Sequence, residues 1–101
     1  MEYNDYLEGF CSISEIRGQF DFFSHNQFND YDTWLPSVRE KFFSLCKIST
    51  EPIRYSLASL YGLLWSYTYL TFSDMALDDM NLKILDSFAC LMDLYKEGTE
   101  I

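Results

Sequence analysis

Turn-forming residues are scarce in this sequence, which has four glycines and two prolines among its 101 residues. This is too few for the many turns of a small β-sandwich or β-barrel. Hydrophobic residues make up 49% of the chain and aromatic residues 19%, a composition unlike that of disordered proteins. A chain of this length can bury one substantial core but not two. We therefore expect a single, all-α domain over residues 1–101.

Histidine and glycine-rich motifs are also scarce, and this disfavours catalysis. His25 is the only histidine, so Ser-His-Asp and Cys-His mechanisms and two-histidine metal sites lack essential parts. A di-iron helical bundle would need a Glu-x-x-His motif twice. The four glycines are isolated and fit neither the dinucleotide-binding nor the P-loop fingerprint. We expect a protein that is not an enzyme and that has no metal site or other cofactor.

Cysteine spacing and the N-terminal residues predict a cytoplasmic location. The three cysteines lie far apart and form no CxxC pair or metal-ligand spacing: Cys11, Cys46 and Cys90. We expect buried, reduced thiols, which are typical of the cytoplasm. Residues 1–10 contain three acids, no base and no apolar run, so they do not fit a secretory signal.

Positive charge is scarce as well, because seven bases stand against sixteen acids and the formal net charge is −9. Such a charge repels nucleic-acid phosphates and anionic lipid headgroups, so direct binding of nucleic acid or of a membrane surface is disfavoured. It attracts cationic proteins and raises their association rates by roughly 10- to 1000-fold at low salt. The expected partner is a basic protein, while the oligomeric state stays open.

The spacing of apolar residues predicts a four-helix bundle preceded by a short helical extension. The extension covers residues 3–10, and a capping box at Ser12 and Glu15 predicts the start of the first bundle helix. Residues 24–32 are rich in turn formers and are interpreted as a loop. The second helix is predicted to begin at Asp32 or Thr33 and to place Pro36 in its first turn.

The second half of the chain predicts two further helices after a tight corner at residues 49–52. Residues 53–72 are apolar or aromatic on every helical face, which predicts the central and most enclosed helix. Residues 55–73 carry no charge, but their hydroxyl groups and the lack of a flanking basic cluster disfavour a membrane span. The last helix is predicted to begin within residues 73–79 and to end at Gly98 in a left-handed conformation.

Two groups of residues are candidates for partner binding. The first combines acids with aromatic anchors around the predicted loop: Asp21, Asp30, Tyr31, Asp32 and Trp34. The second is a row of acids within roughly 40 degrees on the outer side of the last helix: Asp79, Asp86, Asp93 and Glu97. The alternative for the first group is that Phe28 and Trp34 pack in the core and the acids cap a helix. The alternative for the second group is a solvated helix face.

Residues 20–38 read FDFFSHNQFNDYDTWLPSV. They resemble the aromatic, His/Gln and Asp-Tyr-x-x-Trp stretch of immunity proteins from bacterial contact-dependent growth inhibition systems. Those intracellular proteins bind a toxin domain, often a nuclease, that a neighbouring cell delivers, and they block its active site. The resemblance implies an immunity or inhibitor protein that occludes a basic toxin. A phage-encoded acidic inhibitor of a host defence nuclease and a structural or chaperone-like helical dimer remain the alternatives.

Overall fold

Four helices make up the protein in a computed structural model, which describes the backbone of residues 1–25, 28–69 and 74–99. Side chains are described for residues 1–24, 31–68 and 79–99. The helices are α1 (Tyr3–His25), α2 (Phe28–Ile48), α3 (Glu51–Tyr69) and α4 (Asp74–Thr99). These ranges contain no strand, so the predicted all-α four-helix bundle is confirmed.

The helices pack in a square in which each one contacts two neighbours. Helix α1 packs against α2 and α4, and α3 packs against the same two helices. Neighbouring helices run antiparallel: Tyr6 near the start of α1 lies beside Gly98 near the end of α4, and Gly9 lies beside Tyr95. The α1–α4 pair lies opposite the α2–α3 pair, and we describe these two pairs as the halves of the bundle.

An aromatic cluster with one residue from each helix occupies the core. The Phe20 ring of α1 lies 6.1 Å from that of Tyr31 in α2, 5.4 Å from that of Tyr67 in α3 and 5.9 Å from that of Phe88 in α4, centroid to centroid. All four side chains are buried. Two of the contacts are edge-to-face, a geometry that stabilises aromatic pairs beyond the burial of their area. Phe20 thus links all four helices.

Helix α1 is longer than predicted because the N-terminal segment does not separate from the bundle. The predicted extension is helical, but it continues without a break through Ser12. Ser12 is therefore not a helix cap and is itself buried. Tyr6, Phe10, Ile13 and Ile16 pack on or in the core with unbroken three- and four-residue spacing. This packing outweighs the local capping signal.

The predicted loop at residues 24–32 is also mostly helical, which corrects the sequence interpretation. Helix α1 extends to His25 and α2 already begins at Phe28, while residues 26 and 27 lie outside the described range. Pro36 consequently lies inside α2 instead of in its first turn. The reason is that Tyr31 and Leu35 are fully buried, so core contacts begin before the proline and hold that part of the chain in the helix.

The corner between α2 and α3 is confirmed, but α3 is not the enclosed helix that the sequence predicts. Helix α3 begins at Glu51, and the Arg54 amide donates to the Thr50 carbonyl at 2.9 Å. Tyr55 is 69% exposed and Trp65 41% exposed. In a square of four helices each helix turns one side to solvent, so none can be central. Residues 70–72 lie outside the described range.

Two glycines allow tyrosine rings to pack directly on helix backbones. A Cβ at Gly9 would overlap the Tyr95 ring, and one at Gly98 would overlap the Tyr6 ring. No described glycine has a positive φ, and α4 continues through Gly98 to Thr99. The predicted left-handed helix end is therefore wrong, and Gly98 is required for close contact between α1 and α4.

Replacing Gly9 by alanine is expected to lower the free energy of unfolding by about 1 to 3 kcal/mol, because the buried Tyr95 ring must move. Gly18 in the same helix has no atom within 4 Å of a Cβ position. Gly18→Ala is expected to raise the free energy of unfolding by about 0.5 to 1 kcal/mol through its higher helix propensity. Urea unfolding measures both, and equal stabilisation would contradict the packing of Tyr95 on Gly9.

The cysteines are more accessible than predicted. Cys11 and Cys90 are exposed, Cys46 is half-buried, and all three are free thiols. They lie outside the buried stripes of their helices, which aromatic and branched aliphatic residues fill. Burial raises the pKa of Cys46, and Arg54 partly offsets this effect. The expectation of three buried thiols is therefore corrected.

None of the helices within the described residues combines the length and hydropathy needed to cross a bilayer.

Candidate partner-binding surfaces

The outer side of α4 presents a row of carboxylates to solvent. Asp79, Asp86 and Asp93 recur every seven residues, so they lie almost in line, and each is exposed. At 1.5 Å rise per residue the three span about 21 Å. Glu97 is exposed one turn beyond Asp93. The side of α4 that carries Ile84, Phe88, Leu91 and Tyr95 faces the core.

Negative charge is concentrated in the half of the bundle formed by α1 and α4, which we call the acidic half. Helix α1 contains four acids and one base, and α4 contains six acids and two bases. Helix α2 has three acids and three bases, and α3 has one of each. The acidic half therefore carries seven of the nine net negative charges. The sequence could not predict this segregation, because it depends on which helices are neighbours.

The aromatic residues of the first predicted site lie in the core. Tyr31 is fully buried and its hydroxyl donates to the Leu64 carbonyl at 2.6 Å. Trp34 is 8% exposed, and its indole N–H donates to the Gln19 side chain at 2.9 Å. Because both residues continue the buried stripe of α2, they cannot be the exposed anchors that the sequence predicts. That part of the prediction is corrected.

The acids of the first site are distributed over two helices. Asp32 is exposed on α2, whereas Asp21 is exposed on α1 in a shallow groove with Arg17, Gly18 and Leu85 of α4. The Asp30 side chain lies outside the described residues. Asp21 thus belongs to the acidic half, and Asp32 lies on a helix whose charges balance. Partner binding by either remains a prediction.

Burial of the Tyr31 phenol is expected to make stability sensitive to high pH. Burial raises the pKa of the Tyr31 phenol far above its usual range, and Tyr67 and Asp32 raise it further. A raised folded-state pKa means that the full stabilisation is present below the unfolded value of about 10 and is lost as the pH rises above it. Ionisation of the Tyr31 phenol in the unfolded chain should therefore favour unfolding in strong base.

Tyr31→Phe tests this dependence. The variant should lose about 1 kcal/mol of unfolding free energy near pH 8, because it lacks the buried hydrogen bond. Above about pH 10 its stability should fall less steeply than that of the wild type, since one proton fewer is released on unfolding. Urea unfolding across this pH range is the measurement, with Tyr3→Phe as the exposed control. Parallel stability curves for Tyr31→Phe and the wild type would contradict the prediction.

A second exposed surface, which sequence reasoning missed, lies on the α2–α3 half. Its exposed aromatic residues are Phe43 on α2 and Tyr55 and Trp65 on α3, and we call it the aromatic face. The Arg39 guanidinium carbon lies 5.2 Å from the centroid of the Phe43 ring. A groove next to Tyr55 is lined by Cys46, Glu51, Arg54, Tyr55 and Ala58. The apolar residues on every side of α3 are the sequence signal for this face, but the same pattern also predicts a buried helix.

No cluster of three or more histidine, cysteine, aspartate or glutamate side chains that could hold a metal ion occurs within the described residues. Some buried hydroxyl groups of the core form hydrogen bonds that link helices. The Tyr95 hydroxyl lies 3.1 Å from the Ser49 hydroxyl, which donates to the Leu45 carbonyl. Tyr95 therefore supplies the hydrogen for their contact. This network ties the end of α2 to α4.

Comparison with known proteins shows no match for the chain among family models, curated proteins or solved structures. The resemblance to immunity proteins consequently rests on residues 20–38 alone.

Proposed function

We propose that the protein is an immunity or inhibitor protein that binds a basic toxin domain, such as a nuclease, and occludes its active site. The observation that carries this proposal is the concentration of seven of the nine net negative charges on α1 and α4. A predominantly negative surface on rigid helices attracts a positively charged partner and orients it during encounter. The protein would act by stoichiometric binding in the cytoplasm, without turnover.

The row on α4 suits a partner that binds nucleic acid. Successive aspartates are about 10.5 Å apart along the helix axis, and all three are exposed. Carboxylates held in line can occupy a basic groove that otherwise accepts phosphates. Because the row lies on a helix packed against α1 and α3, little conformational entropy is lost when it docks. Occupation of the groove would exclude the nucleic-acid substrate.

A phage-encoded inhibitor of a host defence nuclease would use the same acidic surface. The gene neighbourhood separates the two functions, since a toxin gene beside this one favours immunity and a phage operon favours the alternative.

Salt-dependent binding kinetics test the proposal. The association rate constant with the cognate basic toxin domain should fall by about tenfold or more between low and physiological salt, because screening shortens the reach of the acidic field. Stopped-flow measurements at several salt concentrations give this slope. A flat response would contradict electrostatic docking. Retention of toxin activity in a saturated complex would contradict inhibition.

A further inference from the structure

The aromatic face differs from the acidic half in its charge. Phe43 is 54% exposed, Tyr55 69% and Trp65 41%. Ala58, Gly62 and Ser66 lie between and beside the two α3 aromatics and are exposed too. In α3 the only charged residues are Glu51 and Arg54, both in its first turn. From Tyr55 onward the outer side of α3 is therefore an uncharged surface with large aromatic groups.

The shape of α3 allows another helix to approach closely. Nothing lies within 4 Å of a Cβ placed on Gly62, so the backbone there is open to solvent. Tyr55 lies about two helical turns before Gly62, and Trp65 lies one turn after it. The aromatic side chains thus lie before and after a position on the helix surface that carries no side chain. Exposed aromatic groups around such a point are typical of protein interfaces.

The charge distribution indicates how two copies of the protein can meet with the least repulsion. Two copies that met through their acidic halves would bring seven net negative charges against seven. Two copies that met through α2 and α3 would join halves that each carry no net charge. Their acidic halves would then be separated by the α2–α3 layers of both copies, together about the 21–22 Å width of one bundle, which is beyond the screening length of about 10 Å at 0.1 M salt. Repulsion between copies is smallest in this one arrangement.

We propose that the aromatic face is the interface of a homodimer, in which α3 and α2 of one copy pack against those of a second copy around a two-fold axis. A two-fold interface uses the same surface twice, so Tyr55 and Trp65 of both copies contribute. The acidic halves point outward, and the dimer presents two separate acidic surfaces. The inference is independent of the identity of any basic partner.

Two matched substitutions test the interface. Tyr55→Glu places a charge on the aromatic face, whereas Leu82→Glu places the same charge on α4 at a side chain of similar exposure, 69% against 63%. Both positions are exposed and helical, so circular dichroism should show folded variants. Sedimentation equilibrium is expected to give twice the monomer mass for the wild type and for Leu82→Glu. Tyr55→Glu should weaken self-association by about tenfold or more.

Salt separates self-association from electrostatic binding. Dimerisation should strengthen or stay constant as salt rises, because screening reduces repulsion between two negative copies. A wild type that is monomeric at every concentration would overturn the proposal. So would a dimer that Leu82→Glu disrupts and Tyr55→Glu leaves intact. If the protein alone is monomeric and Tyr55→Glu weakens capture of a basic toxin domain, the face belongs to that partner and the dimer is excluded.

Discussion

Replacing Asp86 and Asp93 on α4 by lysine is expected to slow association with a basic partner by about 10- to 100-fold at low salt. The same replacement of Asp30 and Asp32 on α2 should slow it by less than about threefold. Each replacement of an aspartate by lysine changes the charge by two units, so both double variants go from −9 to −5. Net charge is therefore matched, and any difference between them reports the position of the charge.

The physical reason for the expected difference is local. Asp86 and Asp93 belong to a helix with six acids and two bases, and its neighbour α1 adds four acids against one base. The acids of α2 are balanced by three bases on the same helix. Stopped-flow association with the toxin domain measures both variants. Equal slowing would mean that only net charge matters, and stronger slowing by the α2 variant would move the binding surface to Asp30 and Asp32.

Replacing Phe20 by alanine is expected to lower the free energy of unfolding by about 3 to 5 kcal/mol. This is a large part of the roughly 5 to 15 kcal/mol that stabilises a typical domain. The Phe20 ring contacts one aromatic ring on each of the other three helices, so its removal leaves a cavity that no single helix can fill. Urea unfolding followed by circular dichroism measures the loss.

Phe22 provides the control, because it lies on the same helix and is 46% exposed. Phe22→Ala should cost less than about 1 kcal/mol. If Phe20→Ala fails to fold, Phe20→Leu keeps the test usable, with an expected loss of about 1 to 2 kcal/mol. Similar losses for Phe20→Ala and Phe22→Ala would contradict the central position of the Phe20 cluster.

The two proposed interactions use opposite halves of one bundle and therefore do not compete. Docking of a basic partner on α1 and α4 would leave the aromatic face free, and a dimer through α2 and α3 would leave both acidic halves accessible. Rising salt should slow association with a basic partner but should not weaken the dimer. Either proposal can therefore be rejected without rejecting the other. This division follows from the square packing, in which the α1–α4 pair lies opposite the α2–α3 pair.

Sequence alone was sufficient for the features that depend on local periodicity. The apolar spacing predicts four helices, the corner after α2 and the outward placement of Asp79, Asp86, Asp93 and Glu97, because a helix repeats every 3.6 residues. Local signals were less informative at helix ends. The Ser12 capping box and the turn-forming residues 24–32 describe local preferences of about 1 kcal/mol, which burial of Ile13 and Tyr31 outweighs.

Only the tertiary structure decided which helices are neighbours, and hence where charge and exposed aromatic groups collect. The placement of α1 beside α4 depends on the fit of Tyr6 and Tyr95 against glycines of the opposite helix, a match between residues some ninety positions apart that no local pattern records. The same packing turns Tyr31 and Trp34 inward and leaves Tyr55 and Trp65 outside. Helix periodicity sets the direction of each side chain around the helix axis, but the position of the neighbouring helices determines whether that side chain contacts protein or water.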